Sequence, residues 1–287
     1  MIAPDPSHVE RIVKNALAED IGSGDITTSL TVPAHARTDA VIVSRSVGVL
    51  AGIDVARAVF AAVDGRIVFE AMMEDGSEIA RDDLIANVQG GATGILTGER
   101  VALNLLQRMS GIATLTARYV SLVAHTRARI VDTRKTTPGL RVLEKYAVTA
   151  GGGHNHRFGL YDGILIKDNH IAAAGGMRTA VTAAKANAPH TLKIEVEVTD
   201  LDELEEAIDS GADAVLLDNM PVETMRRAVE FAAGRVILEA SGGVTEENVA
   251  VIAGTGVDLI SVGALTHSAP ALDMSLEFGG NHVGQHT

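Results

Sequence analysis

A repeated alternation of short apolar runs and helical segments, beginning near Ala128, constrains the fold of this chain more than any other feature. Each run ends in a polar element, and successive runs begin roughly 20 to 35 residues apart, which is typical of βα units in a parallel sheet. Apolar residues on both faces of a run favour burial on both sides, as parallel sheets require. The runs are ARIVDTRK, GILIKDN, KIEVEVTD, AVLLDN, RVILEASGG and VDLISVGA. Because these are six and a closed barrel has eight strands, they predict a TIM-like α/β barrel that is incompletely closed.

The first third of the chain lacks this alternation and predicts a separate α/β unit. The segment PSHVERIVKNALAEDIG has one apolar helical face, formed by Val9, Ile12, Val13, Ala16 and Leu17. DAVIVSRSVGVLAGI and GRIVFEAMMEDGSEI are typical of strands separated by turns. A long helical pattern follows from about Ile95 to His125, and Ser110-Gly111 predicts an interruption within it.

Composition and charge exclude several classes of protein. The net charge of −13 argues against a nucleic-acid-binding or anionic-membrane surface. The absence of cysteine excludes disulfides, thiolate catalysis and cysteine-ligated zinc. The start MIAPDPSHVERIVK lacks the apolar stretch of a signal peptide, and no run reaches the roughly 18 apolar residues of a membrane span. We therefore expect a soluble, cytoplasmic protein.

Charged or glycine-rich residues follow all six predicted strands. Because the carboxyl ends of parallel strands meet at one edge, and barrel enzymes carry their chemistry there, these residues are candidates for one site. A single polar strand end reflects only contact with water, but six favour a functional site. In chain order they are Arg134 and Lys135, Lys167, Glu197, Asp218, Ser241-Gly242-Gly243 and Gly263.

The glycines and carboxylates at these ends indicate what the site binds. Small residues at Gly243 and Gly263 let backbone N–H groups approach a phosphate, although a helix-capping turn is an alternative for either loop alone. Glu197 and Asp218 could bind a divalent cation or accept hydrogen bonds from sugar hydroxyls. Glu195 points to the same strand face as Glu197, and a position on a surface strand is an alternative for it.

A specific resemblance adds to this interpretation. The segment DTRKTTPGLRVLEKYAVTAGGGHNHRFGLYDGILIKDNH resembles the core of the quinolinate phosphoribosyltransferases, the carboxylating nicotinate-nucleotide pyrophosphorylases. EDIGSGDITT, TGERVALNLLQRMSGIAT, EVEV, LLDN, SGG and VGALTHS follow the order and spacing of the family. The resemblance therefore spans nearly the whole chain.

The resemblance also implies the domain organisation and the assembly. It implies an N-terminal α/β sandwich-like domain at residues 1–113, joined by segment 270–279 from the C-terminus, and an α/β barrel at 114–269. Residues 280–287 are rich in glycine and histidine and are predicted to be a flexible tail. A homodimer is implied in which Arg100 reaches the partner's site, and a higher oligomer stays open.

The family transfers phosphoribosyl from phosphoribosyl pyrophosphate to the ring nitrogen of quinolinate. It then removes the neighbouring carboxyl group and gives nicotinate mononucleotide, pyrophosphate and CO2, with Mg2+ as cofactor, in de novo NAD biosynthesis. Both substrates are strongly anionic. A chain of net charge −13 needs a concentrated positive field to hold them together, and the segment GGGHNHRFGLYDGILIKDNH would contribute to it.

The resemblance assigns the site residues. Arginine suits the carboxylates because its guanidinium group binds a carboxylate bidentately. The implied quinolinate-binding residues are Arg100, Arg134, His156, Arg157 and Lys167. The implied phosphoribosyl pyrophosphate-binding residues are Lys135, Glu197, Asp218, Ser241, Gly242, Gly243, Gly263 and His267. The implied catalytic residues are Lys135, Lys167, Glu197 and Asp218, and Mg2+ is expected near Glu197 and Asp218 without an assigned direct ligand.

Other functions stay open. His154 and His156 form an H-x-H pair of the kind that metal-dependent barrel hydrolases use, although Arg157 would repel a cation. Lys167 could form a Schiff base, as in an aldolase. A non-enzymatic anion-binding or scaffold protein is a third alternative. A related phosphoribosyltransferase acting on nicotinate or another pyridine carboxylate is a fourth.

Several residues also have ordinary structural interpretations. Arg141 and Lys145, with Glu144 between them, could form a solvated helix face or a rim of the anion site. Arg100 could pair with Glu99, and His154 could be structural or interfacial. His170 could cap the helix that follows KDN.

Overall fold

The computed structural model describes residues 2–279, which divide into two compact units. The described part of the first unit comprises residues 2–117, 137–152 and 268–279. The second unit comprises residues 118–136 and 153–267. The predicted tail at 280–287 lies outside the described residues.

Helices and strands alternate along the described chain. The helices are α1 (Pro6–Ile21), α2 (Ile26–Thr31), α3 (Ile53–Val63), α4 (Ala92–Val123), α5 (Arg141–Ala150), α6 (Asp168–Ala174), α7 (Met177–Asn187), α8 (Leu201–Ser210), α9 (Val222–Ala232), α10 (Val249–Ala253) and α11 (Ala264–His267). The strands are β1 (Arg37–Ser44), β2 (Gly48–Val49), β3 (Val68–Ala71), β4 (Glu78–Ile79), β5 (Leu84–Gly91), β6 (Arg129–Val131), β7 (Ile164–Ile166), β8 (Ile194–Val198), β9 (Ala214–Asp218), β10 (Ile237–Ser241), β11 (Leu259–Ser261) and β12 (Met274–Phe278).

Helix α1 confirms the first helical prediction. The Asp5 side chain accepts a hydrogen bond from the Ser7 N–H at 2.8 Å and so caps the first turn, where proline is well tolerated. The predicted apolar face is buried at Ile12, Val13 and Leu17. Burial of this face, rather than helix propensity alone, stabilises the helix in the first unit.

The first unit contains an antiparallel sheet in the order β12-β1-β5-β3. Strand β1 lies between β5 and β12 and pairs with β12 from Ala40↔Phe278 to Ser44↔Met274. Strands β2 and β4 form a separate two-stranded pair. Strand β5 was not predicted, because Asn87, Gln89 and the terminal glycines weaken its strand pattern.

The predicted interruption of the long helix at Ser110-Gly111 is wrong, because α4 is continuous through both residues. A Cβ atom on Gly111 would overlap the carbonyl oxygen of Pro270, so glycine is required for close approach of the C-terminal segment. The Ser110 hydroxyl accepts a hydrogen bond from the Ala51 N–H at 3.0 Å. Both small residues therefore serve packing within the first unit.

The second unit is built on a parallel sheet in the order β6-β11-β10-β9-β8-β7. Its strands are the six predicted apolar runs. An isolated bridge joins Val131 to His154, and β6 and β7 lie at the two ends of the hydrogen-bonded order. Within residues 2–279 the barrel is not closed by strand pairing, which confirms an incompletely closed α/β barrel.

Helix α8, which follows β8, is capped at both ends. The Asp200 carboxylate accepts a hydrogen bond from the Glu203 N–H at 2.9 Å and begins α8, and Gly211 ends it in the left-handed conformation. The apolar faces of α8 and α9 are buried at Leu204 and Met225.

None of the helices within residues 2–279 combines the length and hydropathy needed to cross a membrane.

Candidate active site

The second unit brings together nearly all of the predicted site residues at the carboxyl ends of its strands. Arg134 and Lys135 follow β6, and Lys167 follows β7 directly. Glu197 lies near the end of β8, and Asp218 is the last residue of β9. Because these strands are parallel and adjacent, their ends form one edge that carries both cationic and anionic groups.

Lys167 and Glu197 form an ion pair on this edge. The Glu197 carboxylate is 16% exposed, whereas the Lys167 side chain is 44% exposed. Lys167 also precedes α6, where its N–H donates to His170 Nδ1 at 3.0 Å. The prediction that His170 caps this helix is therefore confirmed.

The loops after β9 and β10 contact each other through a glycine. Asn219, in a left-handed conformation with φ of 52°, donates from its side-chain amide to Asp218 Oδ2 at 2.9 Å. A Cβ atom on Gly242 would overlap this amide, and Gly242 itself has φ of 88°. Gly243 also has positive φ, and its carbonyl accepts from the Asn248 side chain at 2.9 Å. The turn Ser241-Gly242-Gly243 is thus held in a backbone conformation that favours glycine.

Lys135, Gly263 and His267 meet at the end of β11. A Cβ atom on Gly263 would come within 3.1 Å of Lys135 Cδ and 3.3 Å of His267 Cδ2. The Thr266 hydroxyl donates to the Lys135 carbonyl at 2.8 Å and joins the two loops. The small residue at 263 therefore leaves space for both a lysine and a histidine side chain.

The segment after the bridge at His154 positions His156 and Arg157. The buried Asp132 carboxylate accepts hydrogen bonds from the His156 N–H at 2.9 Å and from the Asn155 side chain at 2.6 Å. Arg157 donates through Nη1 to the Gly163 carbonyl at 3.1 Å. The pKa of Arg157 is lowered mainly by burial and, to a smaller extent, by the nearby positive charge of Arg134. Two guanidinium groups thus lie close enough to repel each other, which an anionic ligand would relieve.

Two buried glutamates lie beneath these cations. His156 Nε2 is 3.0 Å from Glu195 Oε2 and 3.6 Å from Glu239 Oε2. The pKa of Glu239 is raised to about 7, mainly by burial and secondly by the negative charge of Glu195. The surface-strand alternative for Glu195 is wrong, since the residue is 9% exposed and contacts His156.

Asp132 and Glu239 were not predicted as site residues. Each is an acidic residue within or directly after an apolar run, in RIVDT and in VILEAS. Buried acidic residues are rare unless they are paired, so this pattern was an available signal. In these two runs, a role in the site was predicted only for the residues farther along the chain at the strand ends.

The H-x-H pair does not form the predicted metal site. Within residues 2–279, the group of ligand-type side chains close enough to hold a metal is His156, Glu195 and Glu239. His154 is exposed and is not a member of this group. The hydrolase alternative based on His154 and His156 is therefore not supported by their positions.

The remaining predicted residues belong to the first unit. Arg100 lies on α4 with a 59% exposed side chain, and its Nη2 is 4.0 Å from Glu99 Oε1. On α5, Glu144 and Lys145 are 1% and 0% exposed, so the expected solvated helix face is wrong for these two residues. Arg108 pairs with Glu144 at 2.8 Å within this unit.

Two domains of one known protein family match successive parts of the chain. Residues 25–110 match the N-terminal domain of quinolinate phosphoribosyl transferase, and residues 112–277 match its C-terminal domain. Residues Arg134 to His267 all lie within the second match.

Individual relatives match over nearly their whole length. The chain is 45% identical to a probable carboxylating nicotinate-nucleotide pyrophosphorylase of Bacillus subtilis, over 94% of this chain and 93% of the relative. It is 48% identical to the carboxylating nicotinate-nucleotide pyrophosphorylase of Mycobacterium leprae, over 92% and 95%. A solved nicotinate-nucleotide pyrophosphorylase from Francisella tularensis superposes with a TM-score of 0.92 at 43% identity, over 96% of this chain and 98% of that one. The chain belongs to the quinolinate phosphoribosyl transferase family.

Proposed function

We propose that this protein transfers phosphoribosyl from phosphoribosyl pyrophosphate to quinolinate and decarboxylates the product to nicotinate mononucleotide, as a carboxylating nicotinate-nucleotide pyrophosphorylase. The observation that carries the proposal is the pair Arg134 and Arg157, which lie on an edge that also carries Lys135 and Lys167. Burial is the main cause of the lowered pKa of Arg157, and the positive charge of Arg134 lowers that pKa further. Two guanidinium groups match the two carboxylates of a pyridine dicarboxylate. Nicotinate has one carboxylate and would pair with only one of the two guanidinium groups.

Phosphoribosyl pyrophosphate is assigned to the loops after β8 to β11. The 5′-phosphate would bind backbone N–H groups of Ser241-Gly242-Gly243 and Gly263, with Lys135 and His267 beside them. Glu197 and Asp218 would accept hydrogen bonds from the ribose hydroxyls. Their negative charge would also stabilise the positive charge that develops on the sugar as pyrophosphate leaves.

Mg2+ is proposed to bind together with the pyrophosphate substrate near Glu197 and Asp218. Carboxylate oxygens suit Mg2+, which usually binds through one or two carboxylates plus substrate phosphates. When bound, it would neutralise charge on the departing pyrophosphate. We assign no protein side chain as its direct ligand.

Decarboxylation requires no nucleophile from the protein. Once the ring nitrogen carries the sugar it is positively charged and stabilises the electron pair left by CO2. The protein therefore mainly orients the two substrates and neutralises their charge. Lys167 forms an ion pair with Glu197, and a lysine that acts as a point charge in this way fits anion binding better than Schiff-base chemistry.

The direct test supplies quinolinate, phosphoribosyl pyrophosphate and Mg2+ and measures CO2 and nucleotide together. We expect equimolar CO2 and nicotinate mononucleotide from quinolinate and no product from nicotinate. Formation of nucleotide from nicotinate without CO2 would support phosphoribosyl transfer but contradict the assignment of quinolinate as the substrate. No product from either acid would contradict the proposal.

Replacing Gly242 with alanine tests the assignment of the phosphate loop. We expect the KM for phosphoribosyl pyrophosphate to rise at least about tenfold, because the new Cβ overlaps Asn219 in a backbone conformation that already disfavours it. Gly234→Ala is the matched control, since Gly234 also has positive φ but has space for a Cβ atom. An equal KM change in both variants would contradict a specific role of this loop.

The assembly and location are also proposed. A homodimer in which Arg100 completes the partner's quinolinate site is supported by the exposure of that side chain. Cytoplasmic location is supported by the absence of cysteine, although plant relatives are named as mitochondrial or chloroplastic.

A further inference from the structure

The two ring nitrogens of His156 have different roles in the protein. The Arg157 N–H donates to His156 Nδ1 at 2.7 Å. Because an amide N–H can only donate, Nδ1 is an acceptor, and the ring proton is on Nε2. Nε2 lies 3.0 Å from Glu195 Oε2, so its N–H donates to the Glu195 carboxyl group. The ring therefore joins the Arg157 backbone to the buried acidic residues.

Glu239 completes this arrangement from the neighbouring strand. It is 1% exposed, and neither of its carboxyl oxygens has a hydrogen-bond partner among residues 2–279. The titratable groups facing it are Glu195 from β8, Asp132 after β6 and His156, and the Ser261 hydroxyl faces it from β11. Two glutamates so close together cannot both be ionised at low cost, so one of them holds a proton.

We propose that Glu195 and Glu239 are positioning residues of the quinolinate pocket, which share one proton beneath His156 and thereby fix its Nε2–H tautomer and its contact with the Arg157 amide. This role rests on the proposed function, because it concerns the pocket in which Arg157 binds a carboxylate. It assigns no substrate contact to either glutamate. The pKa of Glu239, raised to about 7 by burial and by Glu195, is consistent with the proton being held there.

The shared proton controls the charge that the substrate meets. With Glu239 neutral, the carboxyl groups whose charge acts on Arg157 are Glu195 and Asp162. Loss of the proton adds a negative charge under the pocket. Binding of a dianion should then weaken as the pH rises through about 7, which is the direction expected for an acid that favours binding when protonated.

The kinetic test compares the KM for quinolinate at pH 6.5 and pH 8.5. In the unmodified protein we expect KM to rise at least about fivefold, whereas Glu239→Gln, which cannot ionise, should change less than about twofold. Glu205→Gln, on the exposed face of α8, is the matched control and should keep the unmodified profile. A Glu239→Gln profile equal to that of the unmodified protein would overturn the proposal.

A second measurement observes the His156 ring directly in the unmodified protein. Nitrogen NMR of 15N-histidine-labelled protein, with the His156 signals assigned by their loss in His156→Asn, should show protonated Nε2 and unprotonated Nδ1 at pH 7. An Nδ1–H ring in an active enzyme would overturn this inference and leave the proposed function intact. The expected ring with no nucleotide product would overturn the proposed function instead. Displacement of the Nε2 proton by added Zn2+ would also overturn the inference, because a metal would then replace the shared proton.

Discussion

Arg157→Lys is expected to reduce kcat/KM for quinolinate by about 10² to 10³-fold, since replacing a half-buried, hydrogen-bonded charge that pairs with a ligand costs several kcal/mol. The substitution keeps the positive charge but loses the planar group that binds a carboxylate through two parallel hydrogen bonds. Arg157 is held for this role by its Nη1 contact to the Gly163 carbonyl and its backbone contact to His156. A lysine cannot reproduce both the anchor and the bidentate contact.

The measurement is steady-state kinetics with each substrate varied in turn. We expect the loss in the quinolinate parameters and little change in the KM for phosphoribosyl pyrophosphate. Arg129→Lys is the matched control, because Arg129 is an exposed arginine at the opposite end of β6. A loss below about fivefold in kcat/KM would argue against bidentate recognition by Arg157.

Arg108→Met is expected to lower the free energy of unfolding by about 3 to 5 kcal/mol, because it leaves the Glu144 charge buried without its cation. Glu144 is 1% exposed and accepts from Arg108 Nη2 at 2.8 Å, from Arg108 Nε at 3.1 Å and from the Thr137 N–H at 2.9 Å. Arg108 also donates to the Ala269 carbonyl at 3.0 Å. The pair thus joins three separate chain segments within the first unit.

Urea unfolding followed by circular dichroism measures this effect. Arg108→Met combined with Glu144→Gln should be less destabilised than Arg108→Met alone, because the buried charge is removed along with its partner. Arg66→Met, which breaks an exposed pair with Asp64 in the same unit, should change stability by no more than about 1 kcal/mol. A double variant as unstable as the sum of the single variants would show that the charge pair is not the cause.

The parallel sheet was predictable because its strands carry an unambiguous pattern. In β9 the run AVLL is apolar throughout and fully buried, and the polar residues that end such runs fall on one edge of the sheet. The antiparallel sheet was harder to predict, since β5 is broken by amide side chains and ends in glycines that resemble a turn. Hydrophobic periodicity detects a strand through its continuous buried face. A strand whose apolar face is interrupted by polar residues is therefore not predicted.

Several site residues at strand ends were predictable, whereas Glu239, which lies inside a strand, was missed. Lys167 and Asp218 stand at strand ends, where their position is evident from the chain alone. Glu239 is in the middle of an apolar run, and only the fold shows that its neighbours are Glu195 and His156. Likewise Lys145 resembles a surface residue by spacing, yet it is buried. Long-range proximity of this kind is fixed by tertiary packing, which local patterns do not record.

The pairing of β1 with β12 has a consequence for synthesis on the ribosome. Arg45 and Ser275 are hydrogen-bonded although they are 230 positions apart in the chain. The edge of β1 that receives β12 therefore stays unpaired until almost the whole polypeptide has been translated, and an unpaired strand edge invites association with other chains. Translation pauses or nonsense mutations shortly before residue 274 would release chains with an exposed β1 edge, and these truncated products would be the ones most dependent on chaperones.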